Sequence, residues 1–289
     1  MASQVYFGNA TKQLWIKAPA SGMNASQQGW SVETPLLNGL TSIRRSKAAH
    51  RRFSPSWLGP ANAVDLSESL TTIKDFADGL YGDGPFYWVD PYAAKTNVLP
   101  ENWAAPMLTE KDWANIASDI TPAFTSASVS NNYPAKYATY VTSNNYESTK
   151  KLTLIIPNGY KLAFGWHGPS TGATTGVRVV PYKRSDGTAE TAINPTKITA
   201  GGTVRTNTNI SGTTYSRVEI FIATASASTL NITAMIAQIL PTTDSVASGG
   251  FISGRGTTGI EFSSRPKIEY YSANINDGQI GLAVEWIEV

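Results

Sequence analysis

The feature that most constrains the fold is a series of short apolar segments between residues 151 and 240, each bounded by Gly, Asn, Thr or Pro. Such segments, rich in β-branched residues and regularly interrupted by turn residues, are typical of β-strands. No helical pattern lies between them, so we predict a β-sandwich or jelly roll for this part of the chain. The predicted strands cover residues 151–157, 160–166, 176–182, 216–222 and 229–240.

Three charged residues in these segments indicate how the sheet is oriented. Arg178, Arg217 and Glu219 each stand between apolar neighbours. Because successive side chains of a strand point to opposite faces, this alternation predicts one face toward a core and one toward solvent.

The first third of the chain has a mixed pattern. Residues 13–17 alternate polar and apolar, which favours a strand. Asp65 and Glu68 form a capping-box pattern at the start of a helix, and Gly79 is placed to end it. We therefore predict an α+β domain whose helix presents one apolar face, formed by Leu66, Leu70, Ile73 and Ala77.

A small, polar stretch over residues 118–132 predicts a domain boundary. We place the first domain at residues 1–120 and the second at 121–289. Three further strands are predicted at the end of the chain, over residues 259–262, 267–271 and 279–289. The sequence leaves open whether the segment 250–289 completes the second domain or packs back on the first.

Composition excludes several classes of function. The 289 residues include no cysteine, so disulfides and thiolate chemistry are excluded. A net charge of +2 gives no reason to expect nucleic acid as the main ligand, and only 15% of the residues are charged. No apolar run is long enough to span a membrane, and no leader pattern opens the chain, so we expect assembly in a cytoplasm.

Two motifs resemble enzyme signatures but lack the partner residues and flanking elements that those signatures require. Residues 168–172 match G-x-S-x-G, but both histidines, His50 and His167, precede Ser170, and another strand pattern follows it. Residues 249–256 are glycine-rich but lack the Lys-Ser/Thr pair of a phosphate loop. We therefore predict no catalytic residues, no metal site and no cofactor, and expect that the protein is not an enzyme; a glycoside hydrolase is the third-ranked hypothesis.

The densest charge cluster, residues 44–52, contains five cations in nine residues. Three interpretations remain open. The cluster contacts an acidic surface of a neighbouring subunit, lines a channel through which nucleic acid passes, or protects an exposed edge strand from aggregation. The nearby Phe53 and Trp57 favour a protein contact, because Arg stacks well on aromatic rings.

Residues 79–92 combine glycines, prolines and aromatic residues, and they predict a rigid corner with a large apolar contact face. Together with the cationic cluster, this corner supplies the candidate interface residues Arg44, Arg45, Lys47, Arg51, Arg52, Tyr81, Phe86, Trp88, Tyr92 and Trp103. Trp166, beside His167, is a candidate platform for saccharide stacking, with burial in the core as the alternative.

The order of three segments, 44–53 (RRSKAAHRRF), 78–92 (DGLYGDGPFYWVDPY) and 97–106 (NVLPENWAAP), resembles minor tail proteins of long-tailed phages that infect actinobacteria. Within that group the chain is similar to the distal tail protein. Residues 254–262 and 283–289 resemble the last strands of the same proteins, although Thr257 and Thr258 replace an expected histidine or serine.

The resemblance implies a belt-type first domain that assembles into a ring, with a hexamer as the expected copy number. It implies a second, outward β-sandwich similar to galactose-binding-like folds. The expected partners are copies of itself, the tail tube protein and the tail-tip and other minor tail proteins, with DNA passing through the central channel. The expected location is the tail tip of the virion. The alternative function is a saccharide-binding adhesin that contacts a host glycan through the sandwich loops.

Overall fold

The computed structural model describes residues 4–20, 25–28, 31–35, 41–45, 50–89, 92–105, 116–117, 119–127, 130–254, 259–271 and 278–288. Of residues 25–51 and of residue 288 it describes only backbone. The fold is mainly β, as predicted, and is built from several antiparallel sheets. The chain divides into two compact units. The first unit joins residues 1–86 to 259–289, and the second contains residues 87–258.

The chain forms most of the first unit, passes into the second unit after residue 86 and returns to the first unit at residue 259. The first unit begins with β1 (Gln4–Gly8), β2 (Gln13–Lys17), β3 (Ala25–Gln28), β4 (Ser31–Pro35), β5 (Thr41–Arg45), β6 (His50–Phe53), β7 (Ser56–Pro60) and α1 (Val64–Ala77). The second unit contains β8 (Tyr87–Val89), α2 (Glu101–Ala104), β9 (Ala123–Ser126), β10 (Lys136–Thr142), β11 (Tyr146–Glu147), β12 (Leu152–Ile155), β13 (Tyr160–Gly168), β14 (Val177–Lys183), β15 (Ile198–Thr199), β16 (Thr208–Ser211), β17 (Tyr215–Thr224), β18 (Ser228–Ile232) and β19 (Ala234–Pro241). The first unit is completed by β20 (Ile260–Phe262), β21 (Lys267–Tyr270), β22 (Gln279–Ala283) and β23 (Trp286–Glu288).

In the first unit, two antiparallel sheets combine strands from both ends of the chain. One sheet has the order β20-β23-β6-β3, and a second has the order β21-β22-β7. β1 pairs with β2, and β4 pairs with β5 in a two-stranded ribbon. Strands β20 to β23 thus pair with β6 and β7, which explains why the end of the chain belongs to the first unit.

Helix α1 covers one face of the β21-β22-β7 sheet. Trp57, Ile280 and Leu282 point to this face and are buried. Gly59 lies so close to the helix that a Cβ there would stand 2.8 Å from Leu66 Cδ2. The absence of a side chain therefore allows the helix to pack directly on the strand.

The predicted helix is confirmed, with one error at its start. The residue before it is Ala63, which makes no side-chain cap, so the capping role predicted for Asp65 is wrong. Gly79 ends the helix as predicted, with a φ of +79°. The Leu80 N–H donates to Asp75 O at 2.9 Å and the Gly79 N–H to Phe76 O at 3.1 Å, the two bonds of a Schellman motif.

An aromatic cluster forms the core of the first unit. The Phe7 ring stacks on Trp286 with centroids 5.4 Å apart and on Phe86 at 5.8 Å. Phe76 from α1 meets Phe7 edge-on at 5.2 Å, and Phe262 meets Phe86 at 5.1 Å. Aromatic rings in such arrangements add to the stabilisation from burial.

The second unit contains three sheet regions with central strands β17, β13 and β10, all antiparallel except for the short parallel pairing of β15 with β13. β17 lies between β14 and the pair β11/β12, while β13 lies between β19 and β16. β10 lies between β18 and β9. The five strands predicted between residues 151 and 240 are all present, but the last is two strands, because β18 pairs with β10 and β19 pairs with β13.

The predicted boundary after residue 120 does not coincide with the division between the units. Residues 92–105 belong to the second unit because Asn97 is embedded there. Its Nδ2 donates to Met235 O at 2.9 Å and to Ile252 O at 3.0 Å, and its Oδ1 accepts from the Ala237 N–H at 3.0 Å. No periodicity in the sequence signals this long-range bond.

Candidate protein–protein interface

The predicted corner is a turn held by Asn9. This buried amide donates from Nδ2 to the carbonyls of Tyr81 at 2.9 Å, Gly82 at 3.3 Å and Asp83 at 3.2 Å. Its Oδ1 accepts from two backbone N–H groups of the β1–β2 turn, each at 2.9 Å. Asn9 thus fixes the corner to the strand pair. The corner exposes Leu80, whose side chain is 68% accessible.

Three predicted interface aromatics are buried inside the chain. Phe86, Trp88 and Trp103 are each 3% exposed. Their predicted contact with a neighbouring protomer is wrong, because their rings have no surface to offer. Tyr81 is half-buried and packs on Phe76 with ring centroids 4.8 Å apart. Tyr92 is 62% exposed.

The cationic cluster is divided between two sheets. Arg44 and Arg45 lie on β5, in the β4–β5 ribbon, whereas Arg51 and Arg52 lie on β6. Among these, only the side chain of Arg52 is described, and it is half-buried. Lys47 lies outside the described residues. The interface role of these five residues stays a prediction.

Trp166 is not a saccharide platform. Its side chain is 0% exposed, and its indole N–H donates to Pro195 O at 2.8 Å. The prediction fails because β13 is covered on both faces at this point: residues 162–168 are all buried. The alternative, burial in the core, is confirmed.

His167 forms a buried network with Tyr133. His167 Nε2 lies 2.8 Å from Arg205 O, which can only accept, so the neutral ring carries its proton on Nε2. Nδ1 therefore accepts from the Tyr133 hydroxyl at 3.1 Å. Burial lowers the pKa of His167 to about 4, against the smaller effect of the Arg205 carbonyl, and burial raises the pKa of Tyr133 to about 12. Both groups stay neutral near pH 7 and serve the fold.

The sequence analysis missed an exposed apolar surface on the first unit. On the β21-β22-β7 sheet, the face away from α1 carries Leu58, Gly281 and Glu269 in one row. A Cβ on Gly281 would lie 2.9 Å from the Tyr271 ring, so this ring lies over the glycine beside Leu58. Leu58 is 51% exposed and Tyr271 is 61% exposed. We call these residues, with Lys267, the Leu58–Tyr271 face.

A hydrogen bond orients the tyrosine of this face. The Tyr271 hydroxyl donates to Glu269 Oε2 at 2.6 Å, which raises the pKa of Tyr271. The alternation in β7 could have indicated that Trp57 and Leu58 point to opposite faces. It could not indicate which of these two apolar residues faces outward, because that depends on where α1 packs.

The second unit has a polar sheet face, as predicted. Arg217 and Glu219 lie on the half-exposed face of β17. The Arg217 guanidinium lies 3.8 Å from the centre of the Tyr182 ring on the neighbouring strand β14. Burial, followed by Glu219, raises the pKa of Tyr182. An aromatic ring, a guanidinium and a carboxylate thus share one surface.

The motifs with enzyme-like sequences have no matching geometry. Ser170 lies in the loop that joins β13 to β14, so no helix follows it as a nucleophile elbow requires. Within the described residues, no group of three or more His, Asp or Glu side chains could hold a metal ion. Neither α1 nor α2, the helices of the described chain, is long and apolar enough to cross a membrane.

No protein-family model and no curated protein matches this chain. Among solved structures, a similarity is found to the enzymatically active domain of tailspike protein 4 of bacteriophage CBA120. The two share 17% identity, with a TM-score of 0.28, over 51% of this chain and 22% of the tailspike chain. A likeness at this TM-score carries no argument about function.

Proposed function

We propose that the chain is a structural subunit of a phage tail, and that it forms the distal ring that joins the tail tube to the tail tip. The first unit forms the belt of the ring, with six copies around a channel for DNA and the tape-measure protein. The second unit is a β-sandwich of the jelly-roll, galactose-binding-like type on the outside. The segments 44–53, 78–92 and 97–106, which resemble such tail proteins, support this assignment.

The observation that carries the proposal is the Leu58–Tyr271 face. A sheet of the first unit has α1 on one side and exposed Leu58 and Tyr271 on the other. Burying apolar surface contributes about 25 cal/mol per Å², and tyrosine is enriched at protein interfaces. The mixed charges of Lys267 and Glu269 beside the two apolar side chains are typical of an interface rim. A neighbouring copy would cover the apolar centre and leave this rim in water.

The mass of the native protein tests the proposal. We expect light scattering to give the mass of a ring and negative-stain images to show annuli. The double substitution L58S/Y271S should shift the protein to monomers without changing its thermal unfolding. V141S, at a residue of the second unit that is 64% exposed, is the matched control and should leave the rings intact. A wild-type protein that stays monomeric at all concentrations contradicts the proposal.

A second candidate, a saccharide-binding adhesin, is favoured by the half-exposed surface of Tyr182, Arg217 and Glu219. Tyrosine rings stack on sugars, and paired guanidinium and carboxylate groups donate to and accept from sugar hydroxyls. A glycan array with the full chain tests this candidate. Binding that Y182A abolishes would support the adhesin; binding that Y182A leaves unchanged, or no binding at all, would contradict a site on this surface.

A further inference from the structure

Strand β21 forms one edge of the β21-β22-β7 sheet in the first unit. Among the described residues it pairs with β22 alone. Three of its four residues are exposed, and the fourth, Ile268, is half-buried. An exposed edge strand presents a row of backbone N–H and C=O groups to which another strand can bind.

The hydrogen bonds between β21 and β22 determine which backbone groups face this open edge. The Tyr271 N–H donates to Gln279 O at 2.9 Å, immediately after the strand. Because hydrogen-bonded residues alternate along an antiparallel ladder, the N–H and C=O groups of Ile268 and Tyr270 point away from β22. Within the described residues these four groups have no hydrogen-bond partner.

The charges on β21 determine which strand fits this edge. Lys267 and Glu269 lie two residues apart on the face that carries Leu58, and their charges are opposite. Charged side chains on an edge strand usually oppose pairing. In an antiparallel pair of β21 strands centred on Ile268, however, each lysine stands opposite the glutamate of the other copy, which favours pairing. A pair centred on Glu269 would instead bring two glutamates together.

We propose that β21 of one copy pairs antiparallel with β21 of a second copy, about a twofold axis at Ile268. The two Ile268 residues then exchange both of their hydrogen bonds, which uses the backbone groups that face the open edge. The side chain of Tyr270 is 71% exposed beside this edge, and in the same register it lies opposite Pro266 of the other copy.

This contact goes beyond the proposed ring and does not rest on it. A twofold contact closes at two copies, whereas a ring needs a head-to-tail contact. The edge of β21 and the Leu58–Tyr271 face are different surfaces, so one subunit can use both, and a ring would then pair with a second ring. Because the new ladder is short, we expect pairing at high protein concentration and separation on dilution.

A disulfide across the twofold axis tests the contact. The chain contains no cysteine, so Ile268→Cys introduces a single thiol in each copy. Residues that face each other as a hydrogen-bonded pair have Cα atoms about 5.5 Å apart, within reach of a disulfide. We expect mild oxidation at high concentration to convert most of this variant to covalent dimers. Tyr270→Cys is the matched control on the same edge, because its two Cα atoms would lie roughly 14 Å apart, too far for a disulfide.

Charge reversal in the Ile268→Cys protein tests the register. Lys267→Glu places a glutamate opposite each Glu269, and Glu269→Lys places a lysine opposite each Lys267. Each change should lower the rate of dimer cross-linking roughly tenfold. The double variant K267E/E269K exchanges the charges and should cross-link like Ile268→Cys alone. An equimolar mixture of the two single charge variants should form dimers that contain one copy of each.

Lys12→Glu is the control for the change in net charge. Lys12 is exposed on the β1–β2 turn of the same unit, away from β21, so this change should not alter the rate of cross-linking. Thermal unfolding confirms that each variant is folded.

The outcomes separate this pairing from the proposed function. Folded Ile268→Cys that forms no dimers, or Tyr270→Cys that forms them equally fast, would overturn the pairing. Unchanged cross-linking after Lys267→Glu would also overturn it, because the register requires this lysine to meet a glutamate. Cross-linked dimers in a protein that forms no rings would support the pairing and contradict only the proposed function. Rings without cross-linked dimers would do the reverse.

Discussion

The two units differ in how completely they bury their own apolar side chains. Among the described residues, the second unit has the larger core but exposes fewer large hydrophobic residues. Its exposed residues are Tyr92, Val141 and Val204, whereas the first unit exposes Leu58, Val64, Leu80, Tyr270 and Tyr271. Exposed apolar groups grouped on one sheet face indicate an interaction surface, while single ones are normal. Leu58 and Tyr271 share such a face, so the comparison supports the proposal that contacts between copies lie on the first unit.

The two units also differ in the partners of their cationic side chains. In the second unit, long cationic side chains serve the unit's own loops. Arg184 donates to the carbonyls of Ile156, Gly212 and Tyr215, and Arg205 donates from Nε to Gly250 O at 2.9 Å. In the first unit, described cations instead pair with carboxylates of helix α1 and its end: Lys17 with Asp65 at 3.7 Å, and Lys74 and Arg265 with Asp78.

The largest effect is expected from the core of the first unit. Trp286 is 1% exposed and lies against Phe7 and Trp57. Trp286→Ala should cost roughly 3–5 kcal/mol of unfolding free energy, because it leaves a cavity in the aromatic cluster. Hydrogen exchange should show lost protection in β1, β6 and β23 and unchanged protection in β13 and β17.

Tyr270→Ala is the control for this prediction, because Tyr270 is 71% exposed on the same unit. It should leave protection unchanged in both units. Equal loss of protection in the second unit after Trp286→Ala would contradict the division of the chain into two compact units.

The second prediction concerns the buried histidine of the second unit. The pKa of His167 is about 4 in the folded protein and about 6.5 in the unfolded chain. Between these values the unfolded chain binds a proton that the folded protein does not, so stability is complete above pH 6.5 and falls as the pH falls toward 4. The loss should reach roughly 3 kcal/mol, at about 1.4 kcal/mol per pH unit.

Urea unfolding at pH 7, 5.5 and 4 measures this loss. His167→Gln should remove that part of the pH dependence, although it lowers stability at pH 7 by breaking the bond to Tyr133. The groups that face the imidazole are the Tyr133 hydroxyl and the Arg205 carbonyl, and neither titrates in this range. If the free energy of unfolding fell equally with pH in the wild type and in His167→Gln, the prediction would be contradicted.

The third prediction concerns Asn9, which fixes the corner of the first unit. Asn9→Ala removes the side-chain amide and leaves several backbone groups without the hydrogen bonds that it makes. We therefore expect the free energy of unfolding to fall by about 2 kcal/mol. The amides of Thr11 and Lys12 should exchange faster, because they donate to Asn9 Oδ1. Asn62→Ala, on an exposed turn, should change neither quantity. Unchanged exchange at Thr11 and Lys12 would contradict the role of Asn9.

Regular elements were predictable from the sequence because their signals are local. The strands between residues 151 and 240, helix α1 and its end at Gly79 all follow from periodicity and turn chemistry. The break at Thr233 was not predictable. Its N–H donates to His167 O at 2.7 Å, at the point where the chain passes from one sheet to another, so the break depends on a partner far away in sequence.

The exposure of aromatic residues was not predictable for the same reason. Phe86, Trp88, Trp103 and Trp166 are buried, although their glycine- and proline-rich surroundings suggested contact surfaces. Tyr271 is exposed in a segment without any motif. Which side of a strand faces outward depends on where the helix and the neighbouring sheets pack, and this information is spread over both ends of the chain.

The smallest effect is expected from the aromatic residue on the polar face of the second unit. The Arg217 guanidinium lies 3.8 Å from the Tyr182 ring centre, and such a contact contributes about 0.5–1 kcal/mol at a half-exposed site. A double-mutant cycle with Tyr182→Leu and Arg217→Met should give a coupling energy in this range by urea unfolding.

The same Tyr182→Leu change should leave ring assembly intact, whereas Tyr271→Leu should weaken assembly and leave urea unfolding of the monomer unchanged. A Tyr271 substitution that destabilises the monomer and spares the rings would reverse the comparison, because the exposed tyrosine of the first unit would then serve the fold in the way that Tyr182 does.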